Sequence, residues 1–368
     1  MLTAVENRLA NQIDETIRQN GPISLSTYMR LCLTHPTFGY YRQTQPIGRS
    51  GDFVTAPEIS QMFGEAIGLW MGVLRKELTV DVDIAELGPG RGTLMSDALR
   101  AFSKAMEGGK PGRLHLLETS PVLRAEQETA LKEYHPVWIE ELDQIPLSGP
   151  PLIIIANEFF DVLPIKQYQK SNGQWHERVI GLQNDKRIWG LSPTPMPQEN
   201  LPDFLHLAID GAIWEAAPTA EMIMRTLATR VAKRGGALLC IDYGYDQTQT
   251  GDTFQAMENH AFADPLTRPG RADLTAHVDF EALSSAAAEA GAQTHFLQTQ
   301  STFLSALGIR ERSQALAQAN PQQADGLAAD LDRLVGHAQM GDLFKVLCVS
   351  APGVTPYPFV PNDKPLTS

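Results

Sequence analysis

Cysteine is scarce in this 368-residue chain: Cys32, Cys240 and Cys348 lie far apart with no CxxC pair. That fits neither a disulfide framework nor a zinc site, and the three read as reduced core thiols. Positive charge is also short, with 30 Lys and Arg against 43 Asp and Glu. A net charge of −13 repels phosphate backbones and anionic lipid, which excludes nucleic acid as a main partner. No apolar stretch approaches the roughly 20 residues that span a bilayer. The longest, PPLIIIA, has the length of a buried strand, and no membrane insertion is expected. The nine histidines are scattered without HxxxH-type spacing, so no metal set emerges. A G-x-S-x-G elbow and a Walker phosphate loop are missing as well. The opening stretch, MLTAVENRLANQIDETIRQNG, has neither a signal-peptide apolar region nor the acid-poor character of a transit peptide, which points to the cytoplasm.

What is present is a globular composition, 43% hydrophobic, with a changing periodicity. Leu2, Val5, Leu9, Ile13 and Ile17 share one helical face, stopped by Gly21 and Pro22. Residues 1–50 therefore read as an N-terminal helical extension that ends in a Pro-, Gly- and aromatic-rich lid. A long helix is expected from Ala56 to Leu78. The strand VDIAEL then opens an alternation of helices and strands through LIIIANE, which implies parallel pairing by right-handed crossovers in a doubly wound α/β sheet. Residues 51–164 form the first half of that core. Residues 165–218 read as an inserted β-rich subdomain with turns at SNGQ and QNDK, either binding a partner or covering the sheet. The α/β rhythm returns over 219–350 with helix AEMIMRTLATRVAKRG and strand GALLCIDYG. A loop from Tyr245 to Ala276 follows, then helix DFEALSSAAAEAG, strand THFLQ, two Ala-rich helices and the strand LFKVLCV. The Pro-rich 351–368 reads as a loosely held tail.

The chemistry concentrates at strand ends. In DIAELGPGRGTL, Gly88, Gly90 and Gly92 form a tight strand-to-helix turn where a nucleotide meets bare backbone. The dinucleotide fingerprint is GxGxxG. Here Gly92 comes one position early and Glu86 precedes the turn, the ExGxGxG order of S-adenosylmethionine (SAM) methyltransferases. Glu86 can face the cationic end of such a ligand, whereas it would repel a pyrophosphate. The next strand ends LLETS, where Glu118 can accept both ribose hydroxyls, with Thr119 and Ser120 beside it in the cofactor set. The third strand brings Asn157 to the cofactor and Glu158 and Asp161 to the transferred group. The alternative for the two acids is a solvated strand end and a helix cap. CIDYG adds Asp242 and Tyr243. RPGRADLTAHVDF supplies Asp273, His277 and Asp279 as substrate-binding candidates, with packing and an N-cap as the plain readings of His277 and Asp279. Met340 and Gly341 line either a pocket or the core.

SGDFVTAPEISQMFGE, ELGPGRGTL, ETSPVLRAEQ, ANEFFDVLP, IDYGY and DLTAHVDF, in this order and spacing, resemble the MidA family of SAM-dependent methyltransferases. The resemblance runs from about Gly21 to Val349, and the chain looks like a bacterial relative of the mitochondrial protein arginine methyltransferase that assists complex I assembly. It implies a class I, Rossmann-like methyltransferase fold, SAM as methyl donor, and symmetric dimethylation of an arginine on a protein such as a complex I subunit of the 49 kDa type. It also implies that Ser50, Gly51, Asp52 and Phe53 close over the donor. In this reading Glu158 and Asp161 clamp the guanidinium, Asp242 is their alternate and Tyr243 positions it. Two other classes stay open: a non-catalytic SAM-binding assembly factor, and an NAD-dependent oxidoreductase, against which the shortened glycine spacing argues. The oligomeric state is open.

Overall fold

The computed structural model describes residues 4–43, 55–258 and 260–362, so Ser50, Gly51, Asp52 and Phe53 lie outside the described residues. The chain divides into two compact units, one formed from Met1–Phe53, Asp161–Ala220 and Gln247–His277, the other from Val54–Phe160, Glu221–Asp246 and Val278–Ser368.

The second unit holds the mixed sheet. Its main strands are β1 (Asp83–Leu87), β2 (Leu114–Leu117), β3 (Val137–Ile139), β4 (Leu152–Asn157), β5 (Gly236–Tyr245) and β6 (Phe344–Ser350). The spatial order is β6-β5-β4-β1-β2-β3, with Gln293–Thr294 outside β6. β1 to β5 pair in parallel and β6 runs antiparallel to β5. Leu152 to Ala156 are all buried, because layers cover both faces of a parallel sheet and leave no polar side to alternate with.

On one face helix α1 (Gln61–Leu78) lies against α2 (Thr93–Ala105). Gly64, Gly68 and Gly72 recur at one-turn spacing on α1, and a Cβ at Gly68 would stand 2.0 Å from the Ala98 carbonyl oxygen. The two backbones approach so closely only because that side chain is absent. The helix expected from Ala56 to Leu78 is broken: Ala56–Ile59 ends at Ser60, whose extended backbone and side chain cap α1 by accepting from the Met62 amide. Helix α3 (Pro121–Ala130) follows β2. THFLQ is interrupted too. Gln293–Thr294 and Gln298–Thr299 pair with β6; between them the His295 amide bonds the Cys348 carbonyl and its buried ring bonds Ser350 Oγ at 2.8 Å. Three helices, Gln300–Ala306, Ile309–Ala319 and Ala324–Val335, stand where two were expected, since Gly308 and Pro321 break the run. The end of the chain is not loose through Asn362. Phe359 is buried and stacks on Phe303 at 5.4 Å, and the Phe296 and Asn362 amides bond the Val360 and Thr294 carbonyls.

The first unit packs helices Ala4–Asn20 and Leu25–Thr34 with a five-stranded antiparallel sheet around Leu9, Ile13, Tyr28, Met29 and Ile180. Lys166–Ser171, Gln174–Gln183 and Lys186–Pro195 form successive hairpins. Asn172-Gly173 and Asn184-Asp185 both take positive φ, as two-residue turns require. The segment expected as a loop from Tyr245 to Ala276 carries a three-stranded sheet of Gln255–Glu258, Ala261–Ala263 and Asp273–Thr275. Its first strand is anchored at its start by Glu215, whose carboxylate accepts from the Thr253 and Phe254 amides.

At the amino end of the mixed sheet, Arg234 Nη2 donates to Asp83 Oδ2 at 2.6 Å with both side chains buried, and Arg234 Nε donates to the Pro150 carbonyl. Breaking a buried pair leaves an uncompensated charge, so Arg234→Met is expected to cost about 3 to 5 kcal/mol in denaturant unfolding. Asp83→Asn with Arg234→Met should recover most of that loss; a single variant within about 1 kcal/mol of wild type would show the pair to be neutral.

Candidate active site

The loop after β1 takes its shape from three glycines. Gly88, Gly90 and Gly92 have φ of +61°, +54° and +83°, a region that other L-residues enter only at a cost. Gly88 N–H bonds the Leu117 carbonyl at 3.1 Å, and Gly92 starts α2 by accepting from the Ser96 amide at 3.0 Å. A Cβ at Gly88 would meet the Phe159 ring at 3.3 Å, so the turn after β4 abuts the glycine loop.

Around that loop the carboxyl edge of the sheet collects polar side chains. Glu86, in β1, is 3% exposed, and its Oε2 has no hydrogen-bond partner. Burial raises its pKa from 4.5 to about 8. Glu118, just past β2, is buried. Its Oε1 accepts from the Ser120 amide at 2.7 Å and its Oε2 from Gln127 Nε2 at 3.2 Å. Burial raises its pKa, opposed by those two bonds. Ser120 thus contributes its main chain, and Thr119 is exposed. Asn157 ends β4 with a buried Oδ1 that has no partner, while its Nδ2 lies 3.3 Å from Glu158 Oε1. Glu158 has a φ of +49°, a strained value for a residue with a side chain, and its Oε1 also accepts from the Ala56 amide at 3.1 Å.

Other expected site residues have structural partners. Asp242 is 0% exposed; its Oδ2 accepts from the Phe160 amide and its Oδ1 from the Tyr243 amide, both at 3.0 Å. It fixes the turn that follows β4. Tyr243 is half-buried against Phe344. Asp279 caps helix Phe280–Glu289 by accepting from the Ala282 amide. Asp161, Asp273 and His277 belong to the other unit. There the buried Asp273 accepts from Tyr41 Oη at 3.0 Å. Burial, followed by the charge of Asp273, raises the Tyr41 pKa well above its usual value, so the phenol stays a donor. Asp161 accepts from the Ala276 amide through its carbonyl, and the His277 amide donates to Thr253 Oγ1. Burial lowers the His277 pKa and favours the neutral ring. Gly341 is buried where a Cβ would meet the Val335 carbonyl at 2.5 Å, which explains it by packing.

Sequence reading overlooked Gln127, which donates to both Glu118 and the Gly90 carbonyl. The available signal was an amide one turn after Leu123 on the buried stripe of α3. It also overlooked Glu58, which accepts from Thr93 Oγ1 at 2.6 Å. Among the described residues no group of three or more His, Cys, Asp or Glu is arranged to hold a metal ion.

The set suits a nucleoside with an amino-acid tail: bare backbone at the loop, Glu118 for the ribose, and two buried oxygens, on Glu86 and Asn157, left without partners. Between about pH 4.5 and 8 the unfolded chain loses the Glu86 proton while the folded chain keeps it, so this group alone lowers stability as pH rises. A ligand ammonium favours the ionised form and drives the proton off. Affinity for S-adenosyl-homocysteine is therefore expected to rise with pH by up to about tenfold per unit toward pH 8, until the ligand's own amine titrates. Calorimetry at several pH values reads this. A Glu86→Gln variant should lose the slope, and an unchanged slope in that variant would assign it elsewhere.

The comparisons with known proteins agree with this geometry. A family described as S-adenosyl-L-methionine-dependent methyltransferase matches residues 66–298. The protein arginine methyltransferase NDUFAF7, mitochondrial, of Danio rerio is 34% identical, with 94% of this chain and 88% of that protein covered. The protein of the same name in Homo sapiens is 34% identical over 89% and 80%. A crystal structure from Burkholderia thailandensis with S-adenosyl-homocysteine bound superposes with a TM-score of 0.84 at 27% identity, covering 94% of this chain and 92% of that one. The mixed sheet with its antiparallel β6 is thus a class I methyltransferase fold, and its cofactor is SAM. The chain belongs to the family of S-adenosyl-L-methionine-dependent methyltransferases.

Proposed function

We propose that this enzyme methylates an arginine guanidine nitrogen of a protein, carrying the modification to the symmetric dimethyl state. The observation that carries the reading is the Asn157–Phe160 turn, in which Phe159 abuts Gly88 of the glycine loop and the preceding Glu158 has a strained backbone and a hydrogen-bonded carboxylate. The names of the mitochondrial relatives support the acceptor class. On the resemblance in the motifs, the acceptor is a complex I subunit of the 49 kDa type. The chain's net charge of −13 favours a basic peptide around the target.

When bound, SAM supplies a methyl group made electrophilic by its sulfonium. Glu86 balances the donor's ammonium, Glu118 accepts from the ribose hydroxyls, and Gly88, Gly90 and Gly92 let the backbone come close. A guanidinium is protonated at any working pH and presents a planar fork of donors. Glu158 accepts from that fork, fixes its plane and takes up the proton the nitrogen loses on methylation. The Ala56 amide and the Asn157 side chain hold the Glu158 carboxylate in place beforehand, so little of the binding energy is needed to orient it. Asp161, paired with Glu158 in the sequence reading, belongs to the other unit.

Glu158→Gln keeps an acceptor for the Ala56 amide but removes the charge and the base. It is expected to leave S-adenosyl-homocysteine affinity little changed and to lower turnover by about 10²- to 10⁴-fold. The assay is methyl-labelled SAM with lysate from a strain lacking this gene, with Gly90→Val as the control that loses the donor. Mass spectrometry should find dimethylarginine on a single labelled protein. Equal losses of affinity and rate in Glu158→Gln would remove it from the chemistry.

A further inference from the structure

Gln127 is 0% exposed, and its amide reaches three segments of the donor unit. Nε2 donates to the Gly90 carbonyl at 2.7 Å and to Glu118 Oε2 at 3.2 Å. Oε1 accepts from Trp138 Nε1, on β3, at 2.8 Å. A glutamine amide has two N–H donors and one carbonyl, and all are engaged. An indole N–H can only donate, so Trp138 dictates which end of the amide faces it. The flipped amide would oppose N–H to N–H at Trp138 and oxygen to oxygen at both Gly90 and Glu118. The chain therefore runs one way, from indole to amide to carboxylate.

We infer that Gln127, oriented by Trp138, is a positioning residue for the donor, holding the Glu118 carboxylate at the ribose and the glycine loop at the distance the nucleoside needs. The inference rests on the assignment of Glu118 to the ribose. The site uses one amide where two separate anchors would otherwise be required. A glutamate in this place would set a second carboxylate against Glu118 and the Gly90 carbonyl. The neighbouring turn of α3 supports the same strand end: Arg124 Nε donates to the Glu118 carbonyl at 2.9 Å, and its Nη2 to Glu140 at 3.0 Å. Gln127 also fills the space beside the loop, since a Cβ at Gly92 would stand 3.5 Å from its Cα and Cγ.

The test compares S-adenosyl-homocysteine with its 2′-deoxyribose analogue by calorimetry in wild type, Gln127→Met and Trp138→Phe. Wild type should prefer the hydroxylated ligand by about tenfold or more. Gln127→Met, of similar length but without donors, should weaken S-adenosyl-homocysteine binding by about ten- to a hundredfold and reduce that preference to near unity. Trp138→Phe keeps the ring and should give a smaller loss of the same kind, and it should cost less when Gln127 is already Met. A purely structural role would weaken both ligands equally; an unchanged preference in a folded Gln127→Met protein, or in the milder Trp138→Phe, would overturn the inference. Absence of any preference in wild type, with binding intact, would instead remove Glu118 from the ribose and the inference with it.

Discussion

The donor side of the molecule depends on register. Leu87 of β1 pairs with Leu117 of β2 and Ala156 of β4, and Asn157 pairs with Ile241 of β5. Three strands therefore finish at one level beside β5, which runs on to Tyr245, and Glu86, Glu118, Asn157 and Asp242 lie along a single edge. A slip of one residue in any pair would turn its acid to the opposite face of the sheet. The buried run Leu152–Ala156 makes that slip expensive, since every residue in it is covered on both faces. The packing of apolar side chains in the core is thus what aligns the polar ones.

Those polar groups divide by how their hydrogen bonds are used. Asp242 is occupied by two main-chain amides and shapes the turn after β4. Glu118 is partly occupied and partly held in reserve, with burial and hydrogen bonding acting on its proton in opposite senses. On Glu86 one oxygen has no protein partner. An enzyme that must receive a cation gains from an acid whose ionisation awaits the ligand, at some cost to its own stability. In the other unit Glu215 shows the contrary case, a buried acid engaged by Gln167, Thr253 and Phe254 and serving only to tie a segment down.

How much of this could be read beforehand follows from the range of the interactions. The class I fold was legible because strand and helix periodicities are local, and the conformation of the glycine loop was legible because positive φ demands a particular residue. The break at Ser60 was hidden inside a continuous helical stripe. The strands Gln255–Glu258, Ala261–Ala263 and Asp273–Thr275 are too short to show alternation. Gln127 has partners from three separate segments, and no window of sequence contains them. The boundary between the units falls between Phe160 and Asp161, inside the motif NEFFDVLP.

That boundary is one of several, for the chain passes back and forth between the units before it ends. Neither unit can be released by a single cut or produced as one uninterrupted fragment. During synthesis the sheet with the donor loop waits for β6, near the end of the chain, while the antiparallel unit waits for its last strand, Asp273–Thr275. A ribosome-bound chain stopped between Thr275 and Phe344 therefore has every strand of the antiparallel unit but leaves β5 without its β6 neighbour.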